Sequence, residues 1–454
     1  MTAWGSHDQS SVQRGSTTEN AKALAWQDPA FYDLDAIDKE LARVFDICHG
    51  RRRFTLRQLP APLRHDRCSP SGELDGVPKE RFRRSRGGVH ALRHVLHDEV
   101  PLCAAARVRP TSRHLMLRAW RRAKAGYKNF TTGQLAEMDR NAALAGPVAP
   151  IANWATKVEN RLTRPAMETA LGIDSTAKLP KFHGKTFVAG AKTRRPQASA
   201  TGPARARKVA LFPTCFVNYN NPKVGHAALE VLARQGIEPE IVYDGCCGMP
   251  FLEQGDLPRV AKQAEKIAKS FRSLIDDGYT ILTLTASCGL MLKFEWPLLL
   301  PGNEDVQALS RAVMDIDQFI VDIAGKEGLA PGMKPVAGGV TIHLACHARA
   351  QNIGPRGAEM LRLLPGTKVE VVERCAGHGG TFGVMKKTHP LAMKVGKPAM
   401  RAALKAGTAH LVSECPLAAA HLVAGMKGLA EEGPTLPSKA EHPIEILARA
   451  YASI

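Results

Sequence analysis

Aromatic residues make up only 6% of this 454-residue chain, and no run approaches the eighteen apolar residues of a membrane-crossing helix. An apolar secretory core is also missing: the opening MTAWGSHDQSSVQRGSTTEN is polar. The chain is therefore expected in the cytoplasm, with any membrane contact peripheral and on the inner face. Ten cysteines are too few for a disulfide framework at this length, and in a reducing compartment they read as thiolates for metal or redox chemistry. With 44% hydrophobic content, the chain has enough apolar material to bury several cores.

Positive charge is abundant but uneven. Residues 51–70 and 81–113 carry 14 arginines against 3 acidic residues, so 11 of the 19 net positive charges sit in 53 positions. These stretches contain no Lys, Ile, Asn or Tyr, and show neither a helical nor an alternating apolar period. A nucleic-acid arm usually mixes Lys with Arg and interleaves Gly, Ser or aromatics, so nucleic acid is not an expected partner. The alternative is a displaced reading frame in a GC-rich gene, which overproduces Arg, Ala, Pro and Gly. Ala91 to Cys103 can be encoded so that the neighbouring frame spells Leu-Cys-Asp-Met-Cys-Phe-Met-Thr-Lys-Cys-Pro-Tyr, a cysteine ladder ending in Cys-Pro. Arg57 to Cys68 yields an amphipathic stretch in the same way. Cys68 and Cys103 are then products of that displaced frame.

Along the chain, residues 1–25 read as a disordered leader. Residues 26–120 begin with an amphipathic helix running into Cys48 and continue into the Arg-rich stretches. Residues 121–206 read as a helical segment, in which AALAGPVAPIANW packs locally, followed by a Lys/Arg/Pro/Gly linker over 172–206. Two units follow, 207–330 and 331–454. KVALFPTCFVNYN…DGCCGMPF is echoed by GVTIHLACHARAQ…ERCAGHGGTFG, and YTILTLTASC by GTAHLVSEC. Cys215 and Cys346 lie 131 residues apart, Cys246 and Cys375 129, and Cys288 and Cys415 127. A shared spacing near 130 implies an α/β fold with a duplicated βα unit. Each cysteine follows a strand, where open parallel sheets collect their ligands.

In the first copy, Cys215, Cys246, Cys247 and Cys288 supply four thiolates, enough for one iron–sulfur cluster or one zinc. Zinc would make the chain a structural or scaffolding protein without redox activity, but vicinal cysteines fit tetrahedral places around one small ion poorly, which tilts against it. A dithiol redox pair at Cys246 and Cys247 leaves Cys215 and Cys288 unexplained. The second copy keeps Cys346, Cys375 and Cys415, but Ala376 replaces the second member of the pair. His378 or His347 could complete a metal site there, or the copy is a structural pseudo-repeat with small buried thiols. CAGHGGTFG lacks the spacing of a nucleotide loop. Isolated histidines at 226, 343, 389 and 421 read as packing or surface residues.

CFVNYN, DGCCGMP, TASCGLMLKFEWP and their repetition resemble the CCG-type cysteine-rich domains of the heterodisulfide reductase B-subunit family and its relatives. The resemblance covers about 208 to 450. It implies two cysteine-rich βα domains behind a ferredoxin-like region, whose four-cysteine motifs are missing here except for FDICHG at Cys48. It further implies a redox subunit that carries electrons from a flavoprotein dehydrogenase subunit to a quinone or a thiol/disulfide acceptor. A 4Fe–4S type cluster would sit on Cys215, Cys246, Cys247 and Cys288. The Cys-x-x-Cys that often closes the motif is Thr285-x-x-Cys288 in the first copy and Cys415-x-x-Ala418 in the second. Sequencing the coding DNA is expected to reveal compensated frame displacements flanking 51–70 and 81–113; a gene offering no alternative frame within a base or two of them removes that explanation.

Overall fold

The computed structural model describes residues 26–28, 31, 33, 130–429, 437 and 439–452. The leader 1–25, Cys48, Cys68, Cys103 and both Arg-rich stretches lie outside them, as does nearly all of the expected ferredoxin-like region. Five short helices come first: α1 (Phe130–Ala136), α2 (Met138–Ala145), α3 (Ala149–Thr156), α4 (Thr163–Leu171) and α5 (Phe187–Thr193). Two parallel-sheet units follow.

In the first unit, β1 (Val209–Phe212) leads through α6 (Pro222–Arg234) to β2 (Glu240–Ile241). α7 (Met249–Glu253) and α8 (Leu257–Asp276) then lead to β3 (Thr280–Thr283). α9 (Ala286–Leu290) and α10 (Glu304–Ala312) come before β4 (Val313–Asp315), which runs into α11 (Ile316–Lys326). The strand order is β2-β1-β3-β4, all parallel, with Val209 opposite Thr280 and Ala210 opposite Glu240. β1 is VALF and wholly buried, the composition of a strand covered on both faces. Val209 and Leu211 face one apolar core, while Ala210 and Phe212 face another, as the two-residue period of a strand requires. α8 buries Leu257, Val260, Ala261, Ala264, Ile267, Ala268 and Phe271, one stripe at helical spacing, and leaves its charged residues outside.

The second unit repeats the plan. β5 (Val340–His343), α12 (Cys346–Arg349), α13 (Arg356–Arg362), β6 (Val369–Val372), α14 (His389–Ala406), β7 (His410–Ser413), α15 (Pro416–Lys427), β8 (Ala440–Glu441) and α16 (Pro443–Ala452) give the order β6-β5-β7-β8, again parallel. β5 starts 131 residues after β1, and β7 starts 130 after β3. This is the duplicated α/β architecture that the cysteine spacing implies. One pairing shifts, however. Cys415 lies two residues past β7, level with Thr285 two past β3, whereas Cys288 lies level with Ala418. The 127-residue spacing therefore joins two positions one helical turn apart.

Between the sheets lies a shared core. α6 and α11 of the first unit pack against α16 and α13 of the second, burying Leu229, Phe319 and Ile320 with Leu361, Ile444 and Leu447. Buried polar bonds pin this layer: Gln235 Nε2 donates to the Tyr451 hydroxyl at 3.1 Å, and that hydroxyl donates to the Ala330 carbonyl at 2.9 Å.

The expected linker over 172–206 is not featureless. α5 lies inside it, and Phe187 is fully buried against α6, edge-on to His226 at 5.3 Å. Gly225 makes room for it, since a β-carbon there would stand 2.4 Å from the ring. AALAGPVAPIANW also departs from local packing: Leu144, Val148, Ile151 and Trp154 are exposed. Phe187→Ala is expected to cost about 3–5 kcal/mol, the range for emptying a buried Phe site, read as a lower urea midpoint at unchanged m-value.

Candidate metal centre

All four cysteines of the first unit sit beyond the carboxyl ends of its strands. β1 delivers Cys215 through a turn in which Thr214 takes φ of 71°, a left-handed conformation uncommon for a β-branched residue. β2 leads to Cys246 and Cys247, held between Gly245 at φ 134° and Gly248 at φ 84°. β3 leads to Cys288 within α9. Each is buried in the apolar cluster that includes Phe212, Leu252, Val260, Leu290 and Trp296. The sulfurs of Cys215 and Cys246 are 3.5 Å apart, and the Cys247 thiol donates to Cys288 Sγ at 3.1 Å. The Gly248 N–H points at Cys246 Sγ at 3.5 Å, and Trp296 Nε1 donates to the Cys247 carbonyl at 3.1 Å.

Hydrogen bonding and burial decide where the charge sits. Bonds from Cys215 and Cys247 hold Cys246 well below the ordinary thiol pKa. Those bonds, with desolvation after them, push Cys215 and Cys247 well above it. A thiophilic ion that bound here would displace the thiol protons. The donor set fits iron bound as a cluster, or zinc. As the side chains stand, no group of three or more His, Cys, Asp or Glu residues among the described residues is arranged to grip a metal ion. The sulfurs instead touch in pairs, as thiols do.

The second unit reproduces part of this geometry. The Gly377 N–H points at Cys375 Sγ at 3.3 Å, and Gly377 has φ of 74°, matching Gly248. Buried Ala376 occupies the place of Cys247. Cys346, Cys375 and Cys415 are partly exposed. Desolvation pushes the Cys415 thiol up to about 11. His378 is half-buried, with its Nε2 buried and without a partner, and its ring centre lies 5.9 Å from that of His421, whose Nε2 is also without one. Burial lowers His378 to about 3 and His421 to about 4, so both are neutral imidazoles. His343 is a packing residue, as its isolation in sequence implies: its ring nitrogens meet Ser413 Oγ at 3.0 Å and the Arg374 carbonyl at 2.9 Å. His421 had the same sequence context, and only the fold sets it beside His378.

The two cysteine regions approach each other. The Ala286 N–H donates to the Glu414 carbonyl at 3.3 Å, and Ala286, Ala345 and Ala348 pack together with Cys415. Beside this contact lies a cavity of about 10 Å³, room for one water, lined in part by Thr285, Asp315, Asp317, Arg356 and Glu414. Desolvation raises Asp315 and Asp317 and pushes Glu414 up to about 7. Lys293 is also buried; its ammonium bonds to Gln318 at 3.0 Å and Gln351 at 2.8 Å. No sequence motif marks these carboxylates, which converge from three elements.

Fold and site together define a duplicated parallel α/β protein that gathers thiols at its strand ends. The chain belongs to the CCG cysteine-rich domain family, whose family model (Cysteine-rich domain) matches residues 209–293 and again 340–422. The C subunit of anaerobic glycerol-3-phosphate dehydrogenase from Escherichia coli (strain K12) is 29% identical over 330 residues, spanning 72% of this chain and 77% of that protein. Lactate utilization protein A of Bacillus pumilus is 32% identical over 186 residues, 39% of this chain and 75% of that one. The B subunit of fumarate reductase (CoM/CoB) from Methanothermobacter marburgensis is 28% identical over 262 residues, covering 56% and 50% respectively.

Burial of the Glu414 carboxyl makes stability depend on pH. Folded Glu414 keeps its proton to about pH 7, while an unfolded Glu releases it near 4.5. Its contribution to stability is therefore intact below that lower value, declines as pH rises through the interval, and levels off above about 7. Integrated, the loss is roughly 3 kcal/mol. Glu414→Gln is expected to flatten this decline and to be the more stable form at pH 8, measured by urea unfolding at pH 5 and pH 8.

Proposed function

We propose that this chain is an iron–sulfur electron-transfer subunit, with Cys215, Cys246, Cys247 and Cys288 holding a cluster of the 4Fe–4S type. The observation that carries this reading is the convergence of four buried thiols from three strand ends onto one apolar place. The names of the relatives support it, since two are subunits of a dehydrogenase and a reductase. When bound, such a cluster supplies one-electron redox chemistry at a potential set by charge, hydrogen bonding and burial. The chain's own part is to hold four sulfurs at fixed points, keep water away and direct the Gly248 N–H at a thiolate.

In the second unit, Cys346, Cys375 and Cys415 with His378 form the corresponding metal site, an imidazole taking over where Ala376 offers no donor. The packing of Cys415 beside Ala286 supports a second site close to the first. The electron donor is a flavoprotein dehydrogenase subunit, and the acceptor is a quinone at the membrane surface or a thiol/disulfide. No helix among the described residues is long and apolar enough to cross a membrane. Trp154, Ile151 and Leu144 on the helices before the first sheet, and Leu162 in the turn before α4, nonetheless stand exposed, as peripheral docking from the cytoplasmic side requires.

Anaerobic reconstitution followed by EPR and assay of iron and acid-labile sulfide tests the assignment. The wild-type chain is expected to take up both and give a cluster signal that Cys247→Ser abolishes. Zinc without iron, or protein free of metal and sulfide, would overturn it.

A further inference from the structure

Helix α2 reaches the first cysteine site from far away in sequence. Three consecutive residues at its start grip the first unit. Glu137 pairs with both terminal guanidinium nitrogens of Arg259 on α8, and that guanidinium lies 3.9 Å from the centre of the Phe251 ring. Met138 packs on the apolar cluster that encloses the cysteines. Asp139 then turns its carboxylate onto the cysteine turn: Oδ2 accepts the Cys246 backbone N–H at 2.8 Å, and Oδ1 accepts the Tyr243 hydroxyl. A β-carbon on Gly245 would stand 3.5 Å from that carboxylate and 2.3 Å from Gln263 Nε2, so the glycine lets the turn close in.

We propose that Asp139 is a positioning residue for the Cys246–Cys247 turn and that its charge holds down the reduction potential of the centre formed there. The inference rests on the iron–sulfur reading for its redox half only. Geometrically, one carboxylate ties the Tyr243 side chain, two residues past β2, to the backbone N–H of Cys246, and so clamps the chain where it enters the vicinal pair. Chemically, it directs the Cys246 N–H to an anion. Amide donors directed at sulfur favour the reduced, more negative state, and a nearby carboxylate disfavours it. Nothing in the cysteine motif identifies this residue, which lies 107 positions before Cys246.

The test uses the full chain with Asp139→Asn, Asp139→Ala and Tyr243→Phe. Asparagine keeps the shape and an acceptor oxygen but drops the charge. Hydrogen–deuterium exchange of the metal-free chain, followed by mass spectrometry over the peptide containing Cys246, reads the clamp without a cluster. Protection there is expected to persist in Asp139→Asn and to fall several-fold in Asp139→Ala. After reconstitution, Asp139→Asn is expected to hold as much iron as wild type but to be reduced at a higher potential, while Tyr243→Phe, which retains the charge, shifts it less. An unchanged exchange rate in Asp139→Ala overturns the clamp, and an unchanged potential in Asp139→Asn overturns the electrostatic half. Should Asp139→Ala fail to fold, an exchange rate in Tyr243→Phe equal to wild type overturns the clamp. A wild-type chain that binds no iron overturns the iron–sulfur reading and the electrostatic half with it, while the exchange comparison still decides the clamp.

Discussion

Bringing four thiols together out of water is the constraint to which the first unit is fitted. A lone buried thiolate is costly, and four ionised ones would repel one another. The fold meets this by hydrogen-bonding the thiols to one another in pairs, with the Gly248 N–H directed at Cys246 Sγ as a further donor. Parallel strands are what allow it. They end side by side, so loops widely separated in sequence start from one edge and converge without long excursions. The positive φ at Thr214 is the local cost of turning the chain sharply enough to present sulfur inward, while Gly245 and Gly248 take theirs without a β-carbon to clash.

Duplication reproduces the sheet more faithfully than the site. The strand order and the glycine after the cysteine turn recur, but Ala376 replaces Cys247 and Cys415 takes the level of Thr285. A parallel sheet tolerates such changes because its stability lies in buried strands such as VALF and VTIH and in the helices that cover them. Residues at the strand ends can drift while the scaffold stays put. In the second copy that drift leaves two neutral imidazoles with buried, unpartnered nitrogens, His378 and His421, in the neighbourhood of the remaining thiols.

The two copies are also bound into one body. Their shared helical layer buries large apolar residues from both, and the cysteine regions meet across small residues, Ala286, Ala345 and Ala348, that permit close approach. Around that contact stand carboxylates from β4, α11 and the loop after β7, together with the buried Lys293 ammonium. Side-chain amides and hydroxyls soften the cost: Thr283 and Gln351 both donate to Asp315, and the Ala345 N–H to Glu414. Buried polar groups of this kind fix a single docking geometry between elements that apolar packing alone would leave free to slide.

By itself the sequence determined the duplication, the α/β class and the place of the seven cysteines from Cys215 to Cys415 relative to their strands, because these depend on local patterns of apolar runs, glycines and sulfur that repeat at a fixed interval. It offered two matches for the third cysteine position: the 127-residue interval joined Cys288 to Cys415, one helical turn out, while the Cys-x-x-Cys comparison set Cys415 against Thr285, as the strand ends do. Only the tertiary structure decided that Asp139 touches the Cys246 turn, that His421 adjoins His378 while His343 is satisfied by Ser413, and that Phe187 belongs to the core instead of a linker. The physical reason is the same in each case. A side chain's chemistry is set by the neighbours that packing brings to it, and those neighbours come from tens to more than a hundred residues away, beyond the reach of any periodicity.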